Sequence, residues 1–319
     1  MATPAATVTT YSTIGNREDL SGIIYNIDPT DTPFVSGIDK IKTSATLHEW
    51  QTQALAAVNS INSVLEGDDA TTDTATPSVR LGNYHQISDK VPRVSGTQRS
   101  VDRAGVDDEL DNQVMLAGKA LKRDIETIML RNQARNGGAV GTPRATAAVL
   151  SWITSNTSKG TNGSDPLSTA VGGTSTRTDG SVRAFSENLL KTVLQSAWNN
   201  GGDPETIMTG GFNKQQFSTF TGRATPTEDA KSKTVTAVVD IYKSDFGTLK
   251  IVPNRFMRAT DCLILQMDMW AMGSLPGRNM ISQPLAKTGD SDQKQLLSEY
   301  TLEARNEKAS GGVFDLSTT

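Results

Sequence analysis

Between Val106 and Asn136, the apolar residues Leu110, Val114, Ala117, Leu121, Ile125 and Ile128 recur at spacings of four and three, which places them on one face of a helix. Asp107, Asp108, Glu109 and Asp111 crowd the start of this run. Lys119, Lys122, Arg123, Arg131 and Arg135 follow in its later turns, so each sign complements the helix dipole. Gly137-Gly138 supplies a stop. The spacing predicts a single amphipathic helix of about 30 residues, a rod of roughly 45 Å at 1.5 Å per residue. Its charges read as a solvated face.

The segment before this rod is built differently. Residues 41–98 have strand-like ends, Thr43 to Gln53 and Val79 to Val94, around a polar middle that contains Glu66-Gly67-Asp68-Asp69. Leu47, Trp50, Leu55, Val58, Ile61, Val64 and Leu65 on the outgoing limb, and Leu81, Tyr84, Ile87 and Val91 on the return, do not alternate cleanly enough to cover a core of their own. The pattern predicts a long two-stranded projection. Such a hairpin is marginal in water by itself, so its stability must come from another molecule or from the body of the chain.

Further upstream, Leu20, Ile23, Ile24 and Ile27 repeat at helical spacing until Asp28-Pro29 and Thr32-Pro33 end the helix, because proline donates no hydrogen bond and biases its predecessor to extended structure. The short apolar stripe reads as a docking arm that packs on another subunit or on the underside of the long helix.

Beyond the rod, Thr154 to Asp179 is rich in Gly, Ser and Thr, with Leu167 and Val171 as its larger anchors, and reads as a surface loop or insertion. An α/β module follows. It comprises a helix from Ala184 to Ala197 ending at Asn199-Asn200-Gly201-Gly202, a strand at Glu205 to Thr209, a helix at Phe212 to Phe220, a loop at Gly222 to Lys233, and paired strands at Val235 to Tyr242 and Leu249 to Val252. Cys262 to Met267 reads as an apolar strand continuing toward Trp270, and the nearby Met257, Met267, Met269 and Met272 as gap-filling core. From Gln283 to Val313 the chain is strand-like again.

Composition narrows the function. Of 319 residues 36% are hydrophobic and 5% aromatic, which suits a protein with arms and loops better than one compact globule. Residues 1–100 hold seven Lys or Arg against eleven Asp or Glu, and the remainder holds 24 of each. With no basic excess, sequence-independent binding to phosphate backbones is disfavoured. The single cysteine, Cys262, flanked by Leu263, Ile264 and Leu265, reads as a buried structural thiol in a chain without disulfides. The N-terminus lacks a basic region and an apolar run, and no stretch is apolar enough to span a membrane.

Catalytic templates fail on inventory. There is no phosphate-cradling Gly-x-x-x-x-Gly-Lys-Ser/Thr loop, no dinucleotide fingerprint and no nucleophile elbow. His48 and His85 are the only histidines, too few for a zinc site without further ligands, and they read as satisfied surface residues. The carboxylate pairs Asp68-Asp69, Asp107-Asp108 and Glu228-Asp229 fall at a loop tip, a helix start and a polar loop, where charges are solvated. No enzyme, metal site or cofactor is expected.

Pro29-Thr30-Asp31-Thr32-Pro33-Phe34, preceded by its short helix and followed by projection, rod and α/β module, resembles the major capsid proteins of certain tailed bacteriophages. The resemblance spans the chain, although only this motif is specific at residue level. It implies an α+β Johnson fold with an N-terminal arm (1–40), an extended β-hairpin loop (41–98), a long spine helix in a peripheral domain (99–150 and 286–319), and an α/β axial domain (151–285). The function implied is a structural shell subunit that assembles into pentamers and hexamers of an icosahedral capsid in the virion, built in the host bacterial cytoplasm and enclosing double-stranded DNA without gripping it. An encapsulin-like nanocompartment shell is the alternative.

Partners implied are further copies of the chain, a portal and a separate scaffolding protein, since the motif begins near Ser12; a cement protein is left open. Some relatives cross-link through a lysine near the loop tip, but Lys42 and Lys90 lie at the base of this loop, so covalent chainmail is not expected. The residues expected at interfaces are Leu20, Ile23, Ile24, Ile27 and Phe34 of the arm, and Glu66, Asp68 and Asp69 of the loop tip meeting Lys119, Lys122 or Arg123 on a neighbour.

Overall fold

The computed structural model describes residues 28–70, 72–73, 75–101, 105–169, 171–220 and 240–319. The expected helix at Leu20 to Ile27, the loop at Gly222 to Lys233 and the greater part, 235–239, of the strand expected at Val235 to Tyr242 lie outside the described residues.

The described chain opens with α1 (Pro33–Gly37) and β1 (Asp39–Lys42), then β2 (Leu47–Thr52) and β3 (Val79–Tyr84), which pair antiparallel as a hairpin with Leu47 opposite Tyr84 and Thr52 opposite Val79. The return limb does not stay in that hairpin. It continues as β4 (Gln86–Lys90) and β5 (Arg93–Ser95), passes α2 (Gly96–Ser100), and reaches α3 (Glu109–Leu130). Residues 86–95 thus pair with β13 and leave the hairpin to β2 and β3.

Asp108 caps α3 by accepting from the Leu110 amide at 2.8 Å, as its place before an apolar run suggests. At 22 residues, or about 33 Å, α3 is shorter than the predicted rod and ends at Arg131, not at Gly137-Gly138. Tertiary hydrogen bonds claim the residues beyond. Asn132 donates to the Arg177 carbonyl, Gln133 to the Thr146 carbonyl, and the Gln133 carbonyl accepts from the Ser151 hydroxyl. Gly138 and Gly141, at φ 76° and 82°, instead shape a small hairpin in which Asn136 bridges Ala145.

After α4 (Val149–Trp152) and β6 (Thr157–Ser158), α5 (Glu187–Asn199), β7 (Thr206–Thr209), α6 (Gly211–Phe217), β8 (Ile241–Ser244) and β9 (Gly247–Pro253) follow the predicted module. The expected strand toward Trp270 is broken. β10 (Cys262–Leu265) stops at a 3₁₀ turn over Met267–Met269, and β11 (Trp270–Ser274) enters a different sheet. β12 (Ile281–Pro284), β13 (Ser291–Ala304) and β14 (Gly311–Val313) complete the chain.

Two six-stranded sheets result. In the first, β13 is the axis: β5 and β4 pair along one edge, β12 and β11 along the other, and β1 joins β11 in parallel. α3 lies across it. Leu121, Ile125 and Met129 share a core with Phe34, Trp270, Tyr300 and Leu302. The second sheet runs β6-β14-β10-β7-β9-β8, and its core joins Leu190, Val193 and Leu194 of α5 to Ile207, Ile251 and Ile264.

The Gly/Ser/Thr-rich passage is held differently from expectation. Leu167 and Val171 are 70% and 41% exposed and anchor little. Arg177, 3% exposed, does so instead: its guanidinium lies 3.4 Å over the Phe314 ring and donates to Asp165 at 2.7 Å and to the Ile153 carbonyl. A stretch poor in apolar side chains is here fixed by a buried charge whose two terminal nitrogens find acceptors, while its Nε has no partner among the described residues.

Candidate functional site

The hairpin β2–β3 is rooted in the first sheet. Trp50 donates its indole N–H to the Ala304 carbonyl at 2.9 Å and its ring lies 5.3 Å from that of Trp152, while His48 bonds Glu303 at 2.7 Å. Asn83, fully buried, donates to the Leu302 carbonyl and accepts from the Ala147 amide. Beyond Thr52 these contacts cease. Leu55, Val58, Ile61, Val64 and Leu65 are 79–98% exposed, in a stretch without helix or strand that turns at Gly67, φ 84°. Isolated exposed apolar residues need no account, but these five fall within eleven positions of one extended segment. Glu66, Asp68 and Asp69 are exposed at the turn, as the sequence places them.

The second part of the site is the turn where the arm meets α3. Glu126, fully buried in α3, accepts from the backbone amides of Phe34 at 2.9 Å and Val35 at 2.8 Å, and from the Asn254 side chain at 2.6 Å. One carboxylate thus fastens the start of α1, the long helix and the end of β9 together. Burial raises the Glu126 carboxyl above its usual range, and these three bonds pull the other way. Phe34, expected at an interface, is instead fully buried against Trp270 in its own chain, because α1 turns its ring inward as Glu126 holds the preceding backbone.

Of the three expected cations on α3, Arg123 is engaged within the chain, 3.5 Å from Asp28 and over the Phe256 ring at 5.7 Å. Lys119 and Lys122 have no ion-pair partner among the described residues. Leu20, Ile23, Ile24 and Ile27 lie outside the described residues.

Chemically the rest is quiet. His85 is fully buried, not at the surface, and bonds the Thr43 hydroxyl at 3.0 Å; burial lowers its pKa to about 4. Cys262 is buried as expected and its thiol is pushed up to about 12 by desolvation, so no thiolate is on offer. Among the described residues no group of His, Cys, Asp or Glu has the geometry to hold a metal ion, and no helix is long and apolar enough to cross a membrane.

Sequence reasoning missed Glu126 and Arg177. The first could have been found as a charge four residues before Leu130 on the buried face of α3; the second carries no signal in a stretch of polar residues.

The family model described as SU10 major capsid protein matches residues 7–317. A major capsid protein of Escherichia phage Phieco32 is 39% identical over 135 residues, covering 42% of this chain and 38% of that relative, so the chain spans about two-fifths of the length of the curated relative it matches. Among solved structures, a chain from Mycobacterium phage Adephagia superposes with a TM-score of 0.64 at 11% identity, covering 98% of this chain and 99% of that one. The capsid of a native GTA particle gives 0.61 at 11% identity over 97% and 98%. The SrpI encapsulin of Synechococcus elongatus PCC 7942 gives 0.56 at 10% identity over 95% and 93%. At these identities the structural matches establish the fold.

Proposed function

Because the chain belongs to the SU10 major capsid protein family, we propose that it is a shell subunit of a phage virion, assembling with copies of itself into pentamers and hexamers that close around double-stranded DNA. The observation that carries this reading is the loop from Leu55 to Leu65, whose apolar side chains are left 79–98% exposed on a chain otherwise supplied with two buried cores. Nothing among the described residues of a single subunit covers them, and a repeating assembly covers every copy. In this reading 1–40 is an arm, 41–98 an extended loop, 99–150 with 286–319 a peripheral domain and 151–285 an axial domain. Leu20, Ile23, Ile24 and Ile27 dock on a neighbour, and Glu66, Asp68 and Asp69 face Lys119 and Lys122 of another copy. Arg123 contributes less, being engaged already. A scaffolding protein and a portal take part in assembly, which proceeds in the bacterial cytoplasm.

Expression of the chain with negative-stain microscopy tests the proposal. Closed particles or capsomers are expected, and a monomer under all conditions of salt and concentration would refute it. Particles filled with protein and devoid of DNA during infection would instead favour the nanocompartment reading.

A further inference from the structure

Asn-Gly occurs three times in the chain, at Asn136-Gly137, Asn162-Gly163 and Asn200-Gly201. Glycine has no Cβ to shield its own amide nitrogen, so in this dipeptide that nitrogen can reach the asparagine carboxamide carbon and close a five-membered ring. The fold treats the three pairs differently. The Gly163 amide donates to the Gly160 carbonyl at 3.1 Å and the Gly201 amide to the Trp198 carbonyl at 2.9 Å, so both of these nitrogens are engaged. Asn200 is held as well, its carboxamide donating to Asn156 Oδ1 at 2.7 Å and to the Ser196 carbonyl at 3.0 Å.

The Gly137 amide has no acceptor among the described residues, and both Asn136 and Gly137 are exposed. Asn136 Oδ1 in turn accepts from the Gly138 amide at 2.9 Å, which places a donor where negative charge gathers as the carboxamide carbon is attacked. The Asn136 backbone is meanwhile fixed, donating to the Ala145 carbonyl at 2.9 Å and accepting from the Ala145 amide at 3.0 Å. Packing keeps residue 137 a glycine, since a Cβ there would stand 3.0 Å from the Tyr84 ring. The same packing leaves its nitrogen bare.

We propose that Asn136-Gly137 is a self-modifying site, at which the folded chain deamidates by way of a cyclic imide. The Gly137 nitrogen gives its proton to hydroxide and bonds to Asn136 Cγ; the Cγ–Nδ2 bond breaks, and the nitrogen takes a proton from water and leaves as ammonia. Water then opens the ring at one carbonyl or the other, giving aspartate or isoaspartate at position 136. Either product adds a negative charge next to Arg135 in the chain and near the Arg144 stem, which lies against Gly138. Isoaspartate also routes the backbone through the former side chain, one carbon longer, so the two bonds to Ala145 cannot both be kept. Ala147, two residues on, donates its amide to Asn83 at 2.8 Å, so the change is delivered to the root of the β2–β3 hairpin.

Peptide mapping by mass spectrometry on the soluble full-length chain, aged at mildly alkaline pH, tests the site. Deamidation at Asn136 should run roughly tenfold ahead of Asn162 and Asn200, the factor for one backbone hydrogen bond that need not be broken, and isoaspartate should be among its products. In urea, where the three dipeptides are alike, the rates should converge. Equal rates in the folded chain, a faster Asn162 or Asn200, or a lead at Asn136 that survives urea would overturn the proposal. Asn136→Gln, whose extra methylene disfavours the ring, should release no ammonia from this position. After ageing, its Ala145 amide should exchange hydrogen as before, while that of the unmodified chain exchanges faster; identical exchange in the two aged chains would overturn the link to the hairpin root. Shell assembly takes no part in this chemistry, so failure of the shell reading leaves these readouts unchanged.

Discussion

His85 and Asp261 titrate in opposite senses across one pH window. Burial holds His85 at about 4, below its usual 6.5, so between those values the unfolded chain binds the proton and stability falls on acidification. Burial raises Asp261 from 3.8 to about 6, so over nearly the same range the folded chain binds the proton and stability rises on acidification. Each effect is on the order of 3 kcal/mol at 1.36 kcal/mol per pKa unit, and they nearly cancel. Urea unfolding of the unmodified chain should therefore show little dependence on these two groups from pH 6 to pH 4. Asp261→Asn should make stability drop across that range, and His85→Asn should make it rise; two variants with the same slope would contradict the assignment. Glu126→Ala should cost about 3 kcal/mol or more, since it orphans two buried amides and the Asn254 side chain at about 1–3 kcal/mol each. Glu126→Gln, which keeps an acceptor, should fall between, and denaturant midpoints would rank the three. The buried position of Glu126 is readable from α3 periodicity. Its bond to the Phe34 amide, 92 positions away, is not.

Elements were legible in proportion to how locally they are specified. The α3 start, α5, α6 and the β8–β9 hairpin follow from caps, periodicity and turn residues, all of which act over a few positions. The α3 end does not, because Asn132 and Gln133 are drawn out of the helix by partners at Arg177 and Thr146. Likewise β10 and β11 form one apolar run in sequence but serve different sheets, a choice made by their partners β7 and β14 on one side and β13 and β1 on the other. The loop is the element least needed for folding. Replacing residues 54–77 by Asn-Gly should leave the melting temperature unchanged or raise it by a few degrees, because it removes exposed apolar surface and loop entropy without touching Trp50 or Asn83. Assembly should be lost; a melting temperature lowered by ten degrees would show that the loop stabilises its own subunit.

For the whole molecule, the C-terminal end is part of the fold. β14 lies inside the second sheet, between β6 and β10, and Val313, Phe314 and Leu316 behind it are fully buried. Asp315 accepts from the Gly160 and Gly180 amides, tying the polar passage to the same strap. A chain ending at Ala309 should be insoluble, whereas one lacking residues 1–27 should stay folded; recovery of the first as a soluble, cooperatively melting protein would disprove the strap. A cut extended through Phe34 should also unfold the chain, because that ring belongs to the main core. The α+β class and the long helix with its acidic start were written in spacing and composition, since these depend on neighbours a few residues apart. Which segments close the sheets, why Phe34 is inside and how Arg177 holds a polar passage were decided by contacts between distant positions, whose energies exist only once the chain has brought them together.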